Sequence, residues 1–414
     1  MMWTGKNKFW QNLGWMYGLK AVNYIFPLLL IPYLVRTIGI EKYGLLTATQ
    51  ALMGYFSIIV SYGFELTATR NIAMHAGDLQ QVKNEYNEVL TCKCCIAAVV
   101  FFLFMIGLLL WPLANELKIF YGFGFLLVIG DLLFPSWFFQ GMQAMKFITI
   151  INGLIKFMYL ILVVLFVHEE SDYCYALLCQ GGAWVLSGIL SMYLIKHTYG
   201  FWFRPVFTKV IIERQMKSGF PIFVANACGN VYSKGALLFT GLIVGNTAAG
   251  YYALAEKICG TIASLVLPYV SVLYPALCQK YQENKGKFYN FLSKFYKYMA
   301  AADVVLIFSL YMLAGVASWI IQGKADDQLI ALVRGMSFVT VGTIINTLLH
   351  PFLLAAGKYK EIQKIYMIIS GVFVVISIPL LYAFSYWGMV ISMIIVEYSI
   401  SCYYIYHLRN REQI

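Results

Sequence analysis

"VRTIGIEKYGLLTATQA" (35–51) and "GLIVGNTAAGYYALAEK" (241–257) align at an offset of 206 residues, with Gly39 on Gly245 and Gly44 on Gly250. Each stretch begins at the end of one apolar run and leads into the next. Glycine in such a turn permits the tight reversal and the positive φ that other residues resist. A Gly-x-x-x-x-Gly spacing is weak evidence alone. It becomes informative when both copies occupy the same place in two series of apolar runs, and they do here.

The runs are those of a polytopic membrane protein. The chain has 414 residues, 61% hydrophobic and 12% charged, against about 25% charged in an ordinary soluble domain. Twelve candidate spans cover about 10–34, 45–64, 90–112, 120–139, 147–167 and 174–195, then 219–244, 250–276, 298–321, 328–355, 365–385 and 388–406. Most are near the ~20 residues a helix needs to cross a bilayer. Pro27, Pro135 and Pro268 are the expected kinks, which membrane helices tolerate. The first apolar run lacks a small-residue cleavage site and is followed by further spans, so it reads as a span, not a removable leader.

Charge distribution orients the spans. Of thirty Lys and Arg, 21 fall in loops on one side, four (Arg36, Lys42, Lys118, Lys324) on the other and five inside spans. Basic loops stay cytoplasmic, which puts both termini in the cytoplasm and the acidic loop "HEESDY" (168–173) outside. The net charge of +11 therefore reflects topology, and no nucleic-acid partner is expected. Cys92, Cys94 and Cys95 in "TCKCC" have no histidine nearby in sequence; they read as small apolar filler, with no metal expected.

Six is an even number of spans, so the two halves share one orientation, as parallel repeats about an axis along the membrane normal. The expected fold is all-α: two six-helix bundles, 1–200 and 219–414, joined by a cytoplasmic linker at 201–218, with the site between them.

Five cations lie within spans: Lys20, Lys156, Lys234, Lys257 and Arg334. A lysine at the centre of a spanning helix costs about 2.5–3.5 kcal/mol, so a partner, a cavity or a cargo must offset it. Helical spacing groups Lys20 with Asn23, Tyr24 and Pro27, Lys234 with Asn226 and Asn230, and Lys156 with Asn152 and Tyr159, each as one stripe. These stripes are expected to line a hydrated, cationic cavity; snorkelling and structural ion pairs are the competing readings. Arg334 lies near the outer end of its span, where snorkelling competes strongly. Glu256 and Lys257 are adjacent, so they do not face each other along one helix. Asp131, Asp303 and Glu397 are candidates to bind a coupling H+ or Na+, or to pair with an embedded lysine.

The residues "NYIFPLLLIPYLVRTIGIEKYGLLTATQALMGYFSIIVSYGFELTATRNIA" (23–73) resemble the start of the O-antigen flippase family of polysaccharide transporters. The most telling parts are "PYLVRTIG" (32–39), "YGLLTATQA" (43–51) and "YGFELTATRNIA" (62–73). "PSWFFQGMQAM" (135–145), "GYYALAEKI" (250–258) and "YPALCQKY" (274–281) extend the likeness through the first eight spans; the last four match in pattern alone. The family belongs to the multidrug/oligosaccharidyl-lipid/polysaccharide exporter superfamily, whose fold is two six-helix bundles (MATE-like). The resemblance implies translocation of an undecaprenyl-diphosphate-linked oligosaccharide, such as an O-antigen or capsule repeat unit, across the bacterial cytoplasmic membrane. It implies no cofactor, and a polysaccharide polymerase is the candidate protein partner. Ammonium and guanidinium groups would bond the diphosphate oxygens.

Three other readings stay open. A multidrug or cation antiporter of the same superfamily would favour an acidic cavity over these lysines. A membrane polymerase or ligase would need a sizeable outside loop with catalytic groups; the outside loops are short. A channel explains the repeat less naturally than alternating access does. No Gly-x-x-x-x-Gly-Lys-Ser/Thr motif is present, which argues against ATP-driven export by this chain alone.

Overall fold

The computed structural model describes residues 3–409. Fourteen α-helices follow one another, with no strand among the described residues: α1 (Trp3–Ser61), α2 (Phe64–Met74), α3 (Leu79–Leu110), α4 (Asn115–Leu133), α5 (Ser136–Gly141), α6 (Met145–Phe166), α7 (Tyr173–Tyr199), α8 (Lys209–Ile243), α9 (Asn246–Ser264), α10 (Leu267–Glu283), α11 (Lys285–Gln322), α12 (Asp327–Ala355), α13 (Tyr359–Phe384) and α14 (Tyr386–Arg409). Among the described residues, nine helical stretches are long and apolar enough to cross a membrane. The chain is a multi-pass membrane protein. With no water in hydrocarbon, helices are the structures that satisfy every backbone group within the segment.

Glycine and proline break the helices where the apolar pattern alone did not. The first two expected spans run on as α1, interrupted at Gly39 (φ 77°, ψ 167°). The expected span at 250–276 divides into α9 and α10, with Pro268 in the first turn of α10, where its missing N–H leaves no hydrogen bond unmade. Pro135 caps α5 and separates it from α4, whereas Pro27 stays inside α1.

The chain packs as two compact units: Met1–Gly39 with Thr49–Ala227, and Ile40–Ala48 with Cys228–Ile414. The nine residues 40–48 thus pack with the second unit, and the boundary at 227/228 falls inside α8.

In the first unit, α4 and α7 approach closely through glycines. A Cβ on Gly130 would stand 2.5 Å from Trp184 Cβ and 2.7 Å from its carbonyl carbon. Small residues let helix backbones meet in membranes, where no hydrophobic drive presses them together. Gly130→Val should therefore force the helices apart at about 1–3 kcal/mol, read as a lowered thermal unfolding midpoint in detergent. An unchanged midpoint would mean that α4 can shift freely.

Tyr86, Trp137, Phe138 and Phe201 form a buried aromatic core in this unit. The stretch 201–208 is docked on α3: Arg204 N donates to Asn87 Oδ1 (2.9 Å) and Val206 N to Thr91 Oγ1 (3.0 Å). The first turns of α8 follow. Buried Gln215 donates to Glu88 at 3.0 Å, and Arg214 pairs with the same carboxylate.

In the second unit, α12 packs on α9, α11 and α14. A Cβ on Gly342 of α12 would stand 2.7 Å from Glu397 Cβ of α14, an approach that brings the polar groups of the two helices within bonding reach. Large apolar side chains remain exposed on α3 (Phe102, Leu109, Leu110) and α11 (Val305, Phe308, Trp319). Exposure of that kind suits a surface solvated by lipid.

Candidate functional site

In the first unit, Lys20, Asn23 and Tyr24 of α1 lie outside the described residues as far as their side chains are concerned. Lys156 is half-buried on α6, one turn before buried Tyr159. The third member of that stripe, Asn152, is turned to its own helix, donating Nδ2–H to Ile148 O at 2.9 Å. Asp131 is half-buried on α4. A polar pair absent from the sequence reading also lies here: Gln50 Nε2 donates to Gln180 Oε1 at 2.6 Å. Its one sequence signal was register, since the 206-residue offset puts Gln50 opposite Glu256.

The stripe on α8 is divided. Asn226 is exposed and belongs to the first unit, while half-buried Asn230 and Lys234 belong to the second. Lys257 is exposed and Glu256 half-buried, as expected for neighbours pointing different ways on α9. Arg334 is occupied: its guanidinium lies 4.1 Å from the Tyr311 ring centroid, and Nε donates to Tyr311 O at 3.4 Å. A cation held over an aromatic face of α11 matches the snorkelling reading better than the cavity one. Asp303 is half-buried on α11.

Glu397 has the most developed surroundings. Its side chain is 5% exposed. Asn346 of α12 donates Nδ2–H to Glu397 Oε2 at 2.7 Å and to Glu397 O at 2.9 Å. Ser401, one turn further along α14, donates Oγ–H to Asn346 Oδ1 at 2.7 Å and so fixes which way the amide faces. Among the described residues no Lys, Arg or His forms an ion pair with Glu397. A buried carboxylate served only by neutral donors is expensive unless something neutralises it. In membrane proteins such groups mark ion and proton pathways. Asn346 and Ser401 were not singled out from sequence, because each is an unremarkable polar residue until α12 and α14 meet.

Among the described residues, Glu397 is held by the Asn346 amide and not by an embedded lysine. Among the described residues, no group of three or more His, Cys, Asp or Glu is placed to hold a metal ion. Cys92, Cys94 and Cys95 are free thiols on α3.

Residues 9–280 match the profile of a family described as "Polysaccharide biosynthesis protein". A protein of Escherichia coli (strain K12) named "Putative O-antigen transporter" is 26% identical over 412 residues, 99% of each chain. A Shigella dysenteriae protein of the same name is 27% identical over 394 residues, 94% of this chain and 96% of that one. Among solved structures, the lipid II flippase MurJ in an inward closed conformation gives a TM-score of 0.67 at 13% identity, covering 96% of this chain and 88% of that one. A multidrug resistance MATE family transporter of the MOP superfamily, inward-facing, gives 0.63 at 13% identity, covering 93% and 99%. At that identity the structural likeness speaks for the fold: an all-α membrane body of the MATE and MurJ kind.

Proposed function

The chain belongs to the polysaccharide biosynthesis protein family, and on that footing we propose that it is a flippase for a lipid-linked oligosaccharide. The observation that carries the reading is the end-to-end likeness to the two proteins named "Putative O-antigen transporter", over 412 and 394 residues. It extends over an all-helical body with nine stretches apolar enough to cross a membrane among the described residues. The activity is movement of a cargo between membrane faces, with no bond made or broken.

The finer reading adds a carrier, a direction and an energy source. The cargo would be an undecaprenyl-diphosphate-linked repeat unit. Its membrane would be the bacterial cytoplasmic membrane, with both chain termini in the cytoplasm as the 21-to-4 basic asymmetry supports. The sequence halves 1–200 and 219–414, joined through 201–218, are the duplicated six-helix bundles of this reading. A diphosphate cannot cross hydrocarbon unaided, and lysine ammonium groups make charge-assisted hydrogen bonds to phosphate oxygens. Lys156 and Lys234, half-buried within their helices, and Lys20 by its position on α1, are the best-placed cations for that contact. Lys257 is secondary, and Arg334 is already occupied by Tyr311. An H+ or Na+ gradient would supply the energy, with Glu397 the leading carboxylate for the coupling ion and Asp131 and Asp303 behind it. The released product would serve a polymerase acting on the same glycan outside.

A cationic drug as cargo would meet Lys156 and Lys234 unfavourably, so the antiporter reading fits these residues less well. Deleting the gene from its host should leave lipid-linked repeat units unexported, and re-expressing the wild-type chain should restore the surface glycan. Unchanged surface glycan in the deletion strain would contradict the reading.

A further inference from the structure

Two charged side chains are buried among the described residues: Glu397 in the second unit and, in the first, Lys93 of α3 at 1% exposure. Lys93 stands at the inner end of its expected crossing, where a lysine ordinarily bends its ammonium out to the headgroups. This one does not reach them. On α3 it shares a stripe with Tyr86, Val89, Val100 and Phe104, all buried, because helical residues four, seven and eleven apart face the same way. Phe104 meets Phe56 of α1 and Phe125 of α4, while Tyr86 meets Trp137 and Phe138 of α5. Lys93 therefore points into the aromatic interior of the first unit. Helical side chains lean toward the N-terminus, which on this stripe is toward Tyr86.

No counter-charge meets it there. Among the described residues Lys93 makes no hydrogen bond and no ion pair. Glu88 is taken by Arg214 and Gln215, and Glu85 by Asn71. Asp131 of α4 forms no ion pair among the described residues either. The surroundings supply a second donor instead. Trp137, 1% exposed, has a buried Nε1–H with no hydrogen-bond partner, and its ring centroid lies 5.8 Å from that of Tyr86. A buried ammonium and an idle indole N–H among aromatic rings make an interior rich in donors and poor in acceptors. Each such donor carries the desolvation cost of an unmade bond.

We propose that this interior of the first unit binds a small monovalent anion, a halide such as chloride, with the Lys93 ammonium and the Trp137 Nε1–H as its donors. A monatomic anion accepts from both donors at once and asks for no others. Phosphate or sulfate would bring several oxygens and further charge to be satisfied. The edges of the surrounding rings carry partial positive charge and add to the attraction. The anion neutralises a lysine that burial would otherwise leave uncompensated, and it ties α3 to α5 across the core.

The test uses the purified full chain in detergent, with sodium gluconate replaced by chloride or bromide at constant ionic strength. A ligand that binds the folded state alone raises the thermal midpoint, so the wild-type midpoint should rise saturably, by several degrees. Lys93→Met, similar in length and without charge, should show no rise. Trp137→Phe keeps a ring and loses the N–H, and should raise the half-saturating halide concentration about tenfold. Equal wild-type midpoints in gluconate, chloride and bromide overturn the site, as does a rise that both variants keep in full. Should Lys93→Met fail to fold, the other two proteins decide: an unchanged half-saturation in Trp137→Phe overturns the proposal. No cargo enters the measurement, so its outcome is independent of the flippase reading.

Discussion

Replacing Glu397 by glutamine is expected to leave the second unit folded and to stop transport. Glutamine has nearly the same shape, and its amide oxygen still accepts the Asn346 Nδ2–H that now reaches Glu397 Oε2 at 2.7 Å. What it loses is the ability to hold and release a proton or to neutralise a Na+. If the carboxylate couples an ion gradient to cargo movement, export should fall at least tenfold while the thermal midpoint in detergent stays within a few degrees. The response of the residual rate to an imposed H+ or Na+ gradient should vanish as well. Alanine is the harsher change. It leaves the Asn346 donor in a buried position, at about 1–3 kcal/mol, and opens a cavity costing about 2–5 kcal/mol by analogy with other large-to-small core changes. Loss of export in Glu397→Ala with a depressed midpoint would therefore say little; the glutamine variant carries the information. Wild-type export and gradient dependence in Glu397→Gln would make the Asn346–Glu397–Ser401 cluster a structural staple and move coupling to Asp131 or Asp303.

The second large effect is expected at Lys234. It is half-buried on α8 in the second unit, in a helix where a lysine must be compensated. A charge-assisted contact to a phosphate oxygen is worth about 1.5–3 kcal/mol, so Lys234→Ala should lower export by about 10- to 100-fold at matched membrane levels. Lys234→Arg keeps the charge and the donors, and should retain much of the rate. Full export by the alanine variant would make Lys234 a tolerated structural charge, with Lys156 and Lys20 next in line for the diphosphate.

The glycine pattern was the most legible part of the chain. Gly39 and Gly245 do adopt positive φ (77° and 118°), because a turn between membrane crossings leaves few other conformations open. The register of the repeat also carried unexpected content: Gly44 and Gly250, paired by alignment, lie against each other's turns. Break points inside apolar runs were less legible. An apolar window cannot distinguish one long helix from two short ones; at the division of α9 from α10 it was Pro268, not hydropathy, that marked the break.

Polar partnerships across helices were invisible for a different reason. Glu397 could be picked out as an intramembrane acid, but Asn346, which donates to its carboxylate, stands 51 residues away, and Ser401, one turn along its own helix, donates to Asn346 Oδ1 and to Glu397 O. Gln50 and Gln180 are separated by 130 residues, and the docking of 201–208 on Asn87 and Thr91 spans 117 and 115. Each depends on which helices pack together, which spacing along one helix cannot state. Arg334 illustrates the converse: its cation was legible, but the Tyr311 ring of α11 that it lies over was not.

Flipping can be watched with purified chain reconstituted in liposomes that carry undecaprenyl diphosphate bearing a fluorescent oligosaccharide, with an impermeant quencher outside. The protein is expected to speed exchange of the labelled lipid between leaflets well above protein-free vesicles, and Lys234→Ala to slow it. Exchange no faster than in protein-free vesicles, with and without an imposed H+ or Na+ gradient, would contradict the flippase reading.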